Sequence, residues 1–291
     1  MEKLQSQSQM LAARRYICYL VLGLLALLSV FPFYIMLINA TRAHPQIQSG
    51  FSIFPSGNAL RNFINLVGHG PKQQGDNYPV LLGMRNSLVI ATFTALFTTY
   101  FSAMTAYGIY MYNFKGKKAS FRFILAVMMV PTQVSTLGFI QVITKLNLMN
   151  SYISLIVPAI AAPIVFFYMY QSMEATLPFS IVEAARVDGS NEFFTFNAIV
   201  VPMLKPAFAV QAIFAFVSSW NNYFVPALVI SKKRLWTMPI VIANARSADY
   251  MMFDLGIIYM LMTVAILPLI IIYLVLSKYI IGGVTAGGVK E

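Results

Sequence analysis

The sequence holds a single cysteine, Cys18, and two histidines, His44 and His69. One thiol cannot close a disulfide within the chain. Without further ligands, these three residues cannot build a zinc cluster or a nucleophilic centre either. No Gly-x4-Gly-Lys-Ser/Thr run occurs, and Gly116-Lys117-Lys118 reads as a basic turn, so no phosphate-cradling loop is present. Charge is scarce too. Only 10% of the 291 residues are charged, against about 25% in an ordinary soluble domain. Hydrophobic residues make up 59% and the mean hydropathy is +0.72. So few charges cannot cover a water-soluble globule of this length. A soluble enzyme, a disordered chain and a fibrous repeat are excluded, and an integral membrane protein is left. The net charge of +11 sits in short loops between apolar blocks. Lipid headgroups and topology explain it there, and nucleic acid is not called for.

Six stretches are free of Asp, Glu, Lys and Arg and long enough for the roughly 20 residues a hydrocarbon layer requires. They run from Tyr16 to Ile38, Asn86 to Tyr112, Phe123 to Thr144, Tyr152 to Met173, Pro206 to Ser231, and Leu255 to Ser277. Backbone amides must be paired in lipid, so each is expected to be a helix. The blocks lack the ten-residue alternation of a β-barrel. The first is too long for a signal peptide and has no clear small-x-small site, so it reads as a retained span. Pro131, Pro158, Pro163, Pro226 and Pro268 are expected to mark kinks.

An even number of spans puts both termini on one side. Lys3, Arg14 and Arg15, then Lys115, Lys117, Lys118 and Arg122, favour a cytoplasmic N-terminus. The basic Lys232-Lys233-Arg234 run then falls outside, against the rule. The expected organisation is a cytoplasmic N-terminus over residues 1–15, a six-span domain over 16–281 and a cytoplasmic tail over 282–291. External loops cover 39–85 and 231–254, and one long internal loop covers 174–205. The segment 39–85 is rich in Gly, Pro and Asn and is expected to hold little regular core.

The internal loop carries four of the nine acidic residues, Glu174, Glu183, Asp188 and Glu192. It reads as a helix-turn-helix. Pro178 suits a first helical turn, and Phe179, Val182 and Arg186 share a face. Asp188-Gly189 is a turn dipeptide. Ser190 or Asn191 can cap the second helix, with Glu192 in its positive first turn. Ala184-Ala185 gives the first helix a thin flank that fits a groove on another protein, with Glu183 and Arg186 fixing the register. The competing reading is an amphipathic helix lying on the bilayer.

Glu183-Ala184-Ala185, Asp188-Gly189 and the run Ile199 to Pro202 together resemble the EAA loop of membrane subunits of binding-protein-dependent ABC importers. The form Glu-Ala-Ala-Arg-x-Asp-Gly is similar to the carbohydrate-uptake branch. Asn86-Ser87, Trp220-Asn221-Asn222 and Thr237-Met238-Pro239 agree with that family. The tail from Gly282 to Lys290 resembles the maltose-type second permease. The segment 68–80 resembles nothing in the family. The resemblance implies an all-α, six-span, type I (MetI-like) permease fold and a non-catalytic role. It implies a heterodimer with a second permease subunit, an ATPase dimer that consumes ATP and Mg2+, and an extracytoplasmic solute-binding protein. The chain itself would hold no cofactor and no metal. It would lie in a prokaryotic cell membrane, import a carbohydrate, and switch by alternating access. Glu183, Ala184, Ala185, Arg186, Asp188 and Gly189 would then contact the ATPase, Thr285 and Gly287 would reach between the ATPases, and the loop 231–254 would face the binding protein.

A sugar path needs polar groups without strong charge. Gln211, Ser218 and Asn222 recur at i, i+7 and i+11. Thr94, Thr98 and Thr105 do similarly in the second span, and Gln133 and Gln141 lie in the third. Hydrogen bonding between helices would use the same residue types. A non-sugar polar solute is the alternative cargo. A secondary transporter would leave ionisable groups near the midplane, and an intramembrane enzyme would need His, Asp or Cys there. The blocks hold no Asp, Glu or His, and their one cysteine is Cys18.

Overall fold

The computed structural model describes residues 2–68, 79–246 and 254–287. Every regular element among them is helical. The chain forms two compact units, one drawn from the described residues of Met1–Tyr78 and Ala245–Val264, the other from those of Pro79–Asn244 and Ala265–Glu291.

The first unit opens with α1 (Glu2–Ala40). Its apolar part is almost wholly exposed, with Leu20, Leu24, Leu27 and Leu28 all facing outward, which suits hydrocarbon. Then follow α2 (His44–Gln48) and α3 (Ala59–Gly68), so the segment after Asn39 is more regular than its composition predicts. A buried polar knot orders it. The Arg42 guanidinium donates to the carbonyls of Gln46 and Gly50 and to Asn39 Oδ1. Asn62, 2% exposed, donates to the carbonyls of Ala40 and Arg42. Burying these groups is tolerable because they are bonded. The last helix starts in this unit. Asp254 Oδ1 accepts from the Gly256 N–H, and His44 Nδ1 accepts from the Leu255 N–H at 3.0 Å.

The second unit is built on α4 (Val80–Met111). Small residues recur along its buried side at Gly83, Ser87, Ala91, Ala95, Thr98, Ser102 and Ala106. Such a ladder lets neighbouring helices approach closely in a membrane. The third apolar block is not one helix. It is split into α5 (Lys117–Val127) and α6 (Thr132–Lys145), because Pro131 offers no N–H and pushes Val130 out of helical geometry. The fourth block is interrupted as well, with α7 (Ile153–Ile156), a 3-10 turn at Pro158–Ile160 and α8 (Pro163–Thr176). The hairpin α9 (Phe179–Val187) and α10 (Glu192–Thr195) follows. A π-turn over Phe196–Val200 and α11 (Val201–Met203) then lead to α12 (Lys205–Trp220). The chain bends by 85° between Met203 and Lys205, where Pro206 sits in the first turn of α12. Beyond it come α13 (Phe224–Val229), a 3-10 turn at Lys233–Leu235, α14 (Met238–Arg246) and α15 (Leu255–Gly287). The segment 231–254 is thus partly helical.

Among the described residues, four helical stretches are long and apolar enough to cross a membrane: Arg14–Ala40, Val80–Met111, the interrupted Ile153–Thr176 and Leu255–Ser277. The bent pair Glu192–Met203 and Lys205–Trp220 makes a fifth if taken as one span. Against α4, the stacked pair Phe216 and Trp220 of α12 packs on Ala91 and Ala95. Toward the other end, Phe166, Met169 and Met173 of α8 pack with Ala103, Ala106 and Tyr107.

Candidate functional site

The hairpin 178–203 is fastened to the C-terminal end of α4 by an aromatic and ionic brace. Val182 is fully buried and Ala185 is 7% exposed, and Val182 joins Leu177, Phe196 and Tyr107 in one cluster. Phe179 stacks on Tyr110 with ring centres 4.7 Å apart. Tyr110 also donates to the Leu177 carbonyl at 3.1 Å. Arg186 Nε meets Glu192 Oε1 at 2.7 Å, and the Tyr107 hydroxyl donates to Glu192 Oε2 at 2.7 Å. The guanidinium lies over the Tyr112 ring, 5.3 Å from its centre. One carboxylate therefore ties both arms of the hairpin to α4.

Charge is tuned accordingly. The bond to Glu192 raises the Arg186 pKa, opposed by some desolvation. Bonds from Arg186, then from Tyr107, hold the Glu192 carboxyl below its ordinary value, against desolvation. Burial, then Glu192 itself, raises the Tyr112 phenol. The brace keeps its ionic form at neutral pH.

The turn is built by local rules. Gly189 has φ +80° with open space where a Cβ would stand, a left-handed conformation that glycine adopts freely and most other residues resist. Asn191 is the N-cap, its Oδ1 accepting from the Phe194 N–H at 2.8 Å. The Ser190 and Thr195 hydroxyls meet at 2.7 Å. Glu183, Ala184, Val187, Asp188 and Gly189 are all exposed, Val187 at 88%. Ala185 and Arg186 are not part of that outward surface. Ala185 packs inward and Arg186 is committed to Glu192, so the outward flank is Ala184 with Val187. Thr285 and Gly287 fall on the backbone of α15, and their side chains lie outside the described residues.

The polar span residues part company. Thr94 is buried with no protein partner for its Oγ1. Thr98 Oγ1 donates to the Ala159 carbonyl at 2.7 Å and so joins α4 to the 158–160 turn, whereas Thr105, exposed, donates only to the Phe101 carbonyl of its own helix at 2.8 Å. Gln211 is buried while Ser218 is exposed, and Asn222 lies beyond the end of α12. The stripe of three is therefore not one surface. The side chain of Gln133 lies outside the described residues.

Two motif fragments meet instead. Asn86 Nδ2 donates to the carbonyls of Arg234 and Trp236 at 3.0 and 2.9 Å. Ser87 Oγ accepts the Met238 N–H at 2.7 Å. A cavity of about 480 Å3 opens beside this junction, walled by residues of α4, α6, the 154–161 segment and the 219–226 segment. Sequence reasoning noted Ser87 and Thr237 only as motif fragments, with no role, and passed over the tyrosines Tyr107, Tyr110 and Tyr112. The near-helical spacing of Tyr107 and Tyr110 at the end of an apolar block was the available signal.

Residues 79–285 match the family described as binding-protein-dependent transport system inner membrane component. The chain is 35% identical over 278 residues to the arabinooligosaccharides transport system permease protein AraQ of Bacillus subtilis, covering 92% of each chain. It is 30% identical to the lactose transport system permease protein LacG of Rhizobium radiobacter, covering 94% of this chain and 95% of that one. A crystal structure of a bacterial ABC transporter involved in the import of alginate, an acidic polysaccharide, superposes with a TM-score of 0.75 at 18% identity. It covers 91% of this chain and 95% of that one, which establishes a shared fold. The chain is thus a multi-pass membrane protein of the binding-protein-dependent transport system inner membrane component family.

Proposed function

We propose that this chain is the transmembrane permease subunit of an ATP-driven importer of carbohydrate, with oligosaccharides as its cargo. It pairs with a second permease subunit to enclose the pathway. It takes sugar from an extracytoplasmic binding protein and is worked by an ATPase dimer that consumes ATP and Mg2+. Both termini lie in the cytoplasm of a prokaryotic cell. The relatives named above carry arabinooligosaccharides and lactose, and among the described residues no charged side chain lines the cavity beside α4.

The hairpin is the handle. The observation that carries this is the brace joining Arg186, Glu192 and Tyr107. A protruding loop transmits force only if its root is stiff, and here the root is bonded to the longest helix of its unit. Glu183, Ala184, Asp188 and Gly189 form the ATPase-facing surface. Ala185 and Arg186 support it from behind, and Thr285 and Gly287 reach toward the ATPases from the tail. ATP-driven closure of the ATPase pair moves the hairpin, and α4 moves with it. A ligand drives such a switch only through different affinities for the two states.

The test is a photocrosslinking residue at Val187 in the reconstituted importer. Adducts with the ATPase during sugar-stimulated ATP hydrolysis are expected. Adducts with phospholipid alone throughout turnover would overturn the assignment.

A further inference from the structure

Thr237 is 3% exposed, lines the cavity beside α4, and its Oγ1 has no hydrogen-bond partner. A buried hydroxyl without a partner is costly, so its place on a cavity wall calls for something in the cavity. The other walls are of matching character. Ser87 Oγ accepts the Met238 N–H and so keeps its proton free to donate. Ser154, 1% exposed, donates to the Ser151 carbonyl at 2.6 Å and keeps a lone pair to accept. Asn222 Oδ1 accepts from the Val225 N–H at 3.3 Å, which leaves its amide protons to donate. Phe139 and Pro158 add flat apolar faces. The volume of about 480 Å3 lies within the roughly 300–1,000 Å3 of small-molecule sites. Among the described residues, no Asp, Glu, Lys, Arg or His lines it.

Donors, acceptors and flat apolar faces together, with no charge, match one chemistry: a sugar ring, with hydroxyls around its edge and C–H groups on its faces. A phosphate would need a cation in the wall, and an ammonium a carboxylate. We infer that this cavity is a subsite for a neutral sugar residue held by this chain itself, with Thr237 and Ser87 as its buried donors. The inference rests on the carbohydrate reading above and adds where in this subunit the cargo sits. Ser87 bonds both the sugar and the segment that begins at Met238, so occupancy of the subsite bears directly on that segment.

The experiment begins with uptake of neutral di- and trisaccharides of arabinose, glucose and galactose by the complete importer, binding protein included. The best-imported sugar is then titrated against the permease–ATPase complex in nanodiscs without binding protein. Thr237→Val should weaken its Kd about tenfold, the worth of one buried hydrogen bond of about 1.4 kcal/mol, and Thr237→Ser should restore it. A wholly structural hydroxyl predicts the reverse pattern: Thr237→Val removes an unpartnered polar atom, raises Tm and leaves Kd unchanged. An unchanged Kd in Thr237→Val overturns the subsite whichever way Tm moves, which covers a hydroxyl that holds only a trapped water. Asn222→Ala, on the exposed rim, gives a second reading should Thr237→Val not assemble, with the same weakening expected and an unchanged Kd counting against the subsite. Failure of the wild-type importer to take up any of these sugars would instead sink the carbohydrate reading itself.

Discussion

Ser87 and Met238 are separated by 151 positions in sequence, yet the Ser87 hydroxyl oxygen accepts the Met238 N–H at 2.7 Å. The bond lies one residue from Asn86, which is fully buried and holds two carbonyls of the same incoming strand of chain. The start of α4 and the segment 234–238 are therefore one piece. Asn86→Ala strips two buried carbonyls of their donor and should cost about 1–3 kcal/mol, read as a lower Tm of the purified complex. Asn86→Asp should be worse, because a carboxylate only accepts and would face two carbonyl oxygens. An Asp variant as stable as wild type would refute this account of the junction.

Gly189 tests the turn. Its φ is +80°, but no atom crowds the position a Cβ would take. The cost of a side chain there is backbone strain alone, roughly 1–2 kcal/mol. Gly189→Val should insert and assemble, but hydrolysis should run without matching uptake, because the exposed turn is re-aimed. Gly189→Asn, which tolerates left-handed backbone, should retain most coupling. Normal uptake per ATP in the Val variant would count against the handle.

The brace makes a prediction about charge. Glu192 is held below its ordinary pKa by Arg186 and Tyr107, so its folded value lies under its unfolded one. That contribution is present above the ordinary carboxylate range and is lost as pH falls through the depressed value. The brace is unaffected between pH 6 and 8 on the order of any physiological excursion, and acid unfolding should show it. Glu192→Gln should remove that acid-dependent component of Tm. Swapping the charges, Arg186→Glu with Glu192→Arg, should recover only part of the loss, since an arginine at 192 cannot accept from Tyr107. Full recovery would mean that the ion pair acts without the phenol.

The six apolar blocks were legible because hydrocarbon imposes a length and forbids charge. Their interruptions were only half legible. Pro131 was expected to kink a helix; instead α5 ends at Val127, three tight turns follow at Met128, Met129 and Val130, and Pro131 is the N-cap of a new helix, α6. The hairpin could be read residue by residue because proline, glycine and asparagine act locally. What could not be read was direction. Ala184 and Ala185 are equivalent in sequence, and only the burial of Ala185 beside Val182 separates the outward one from the inward one. The Arg186 side chain likewise turned to Glu192, six positions on, a choice that depends on Tyr107 arriving from a helix far away in the chain. Segment 39–85 misled by composition, since Arg42 and Asn62 supply through hydrogen bonds the order that apolar residues usually supply.

Gly256 carries the last prediction. A Cβ there would collide with the Arg42 carbonyl oxygen and come within 2.8 Å of Asn62 Nδ2. Neither can yield. The oxygen is backbone and already accepts from Asn62, and the amide is held by two carbonyls. Ala is ordinarily the better helix former by about 1 kcal/mol, so propensity alone predicts that Gly256→Ala stabilises the first turn of α15. The packing predicts the opposite, because overfilling a rigid site costs typically 1–3 kcal/mol and here also breaks the Asn62 bonds. Gly256→Ala should lower Tm, while Gly138→Ala, in α6 with open space about it, should leave it unchanged or raise it. Equal behaviour of the two variants would show that the knot around Arg42 gives way, and that the polar bonds of Arg42 and Asn62 do not fix the start of the last helix.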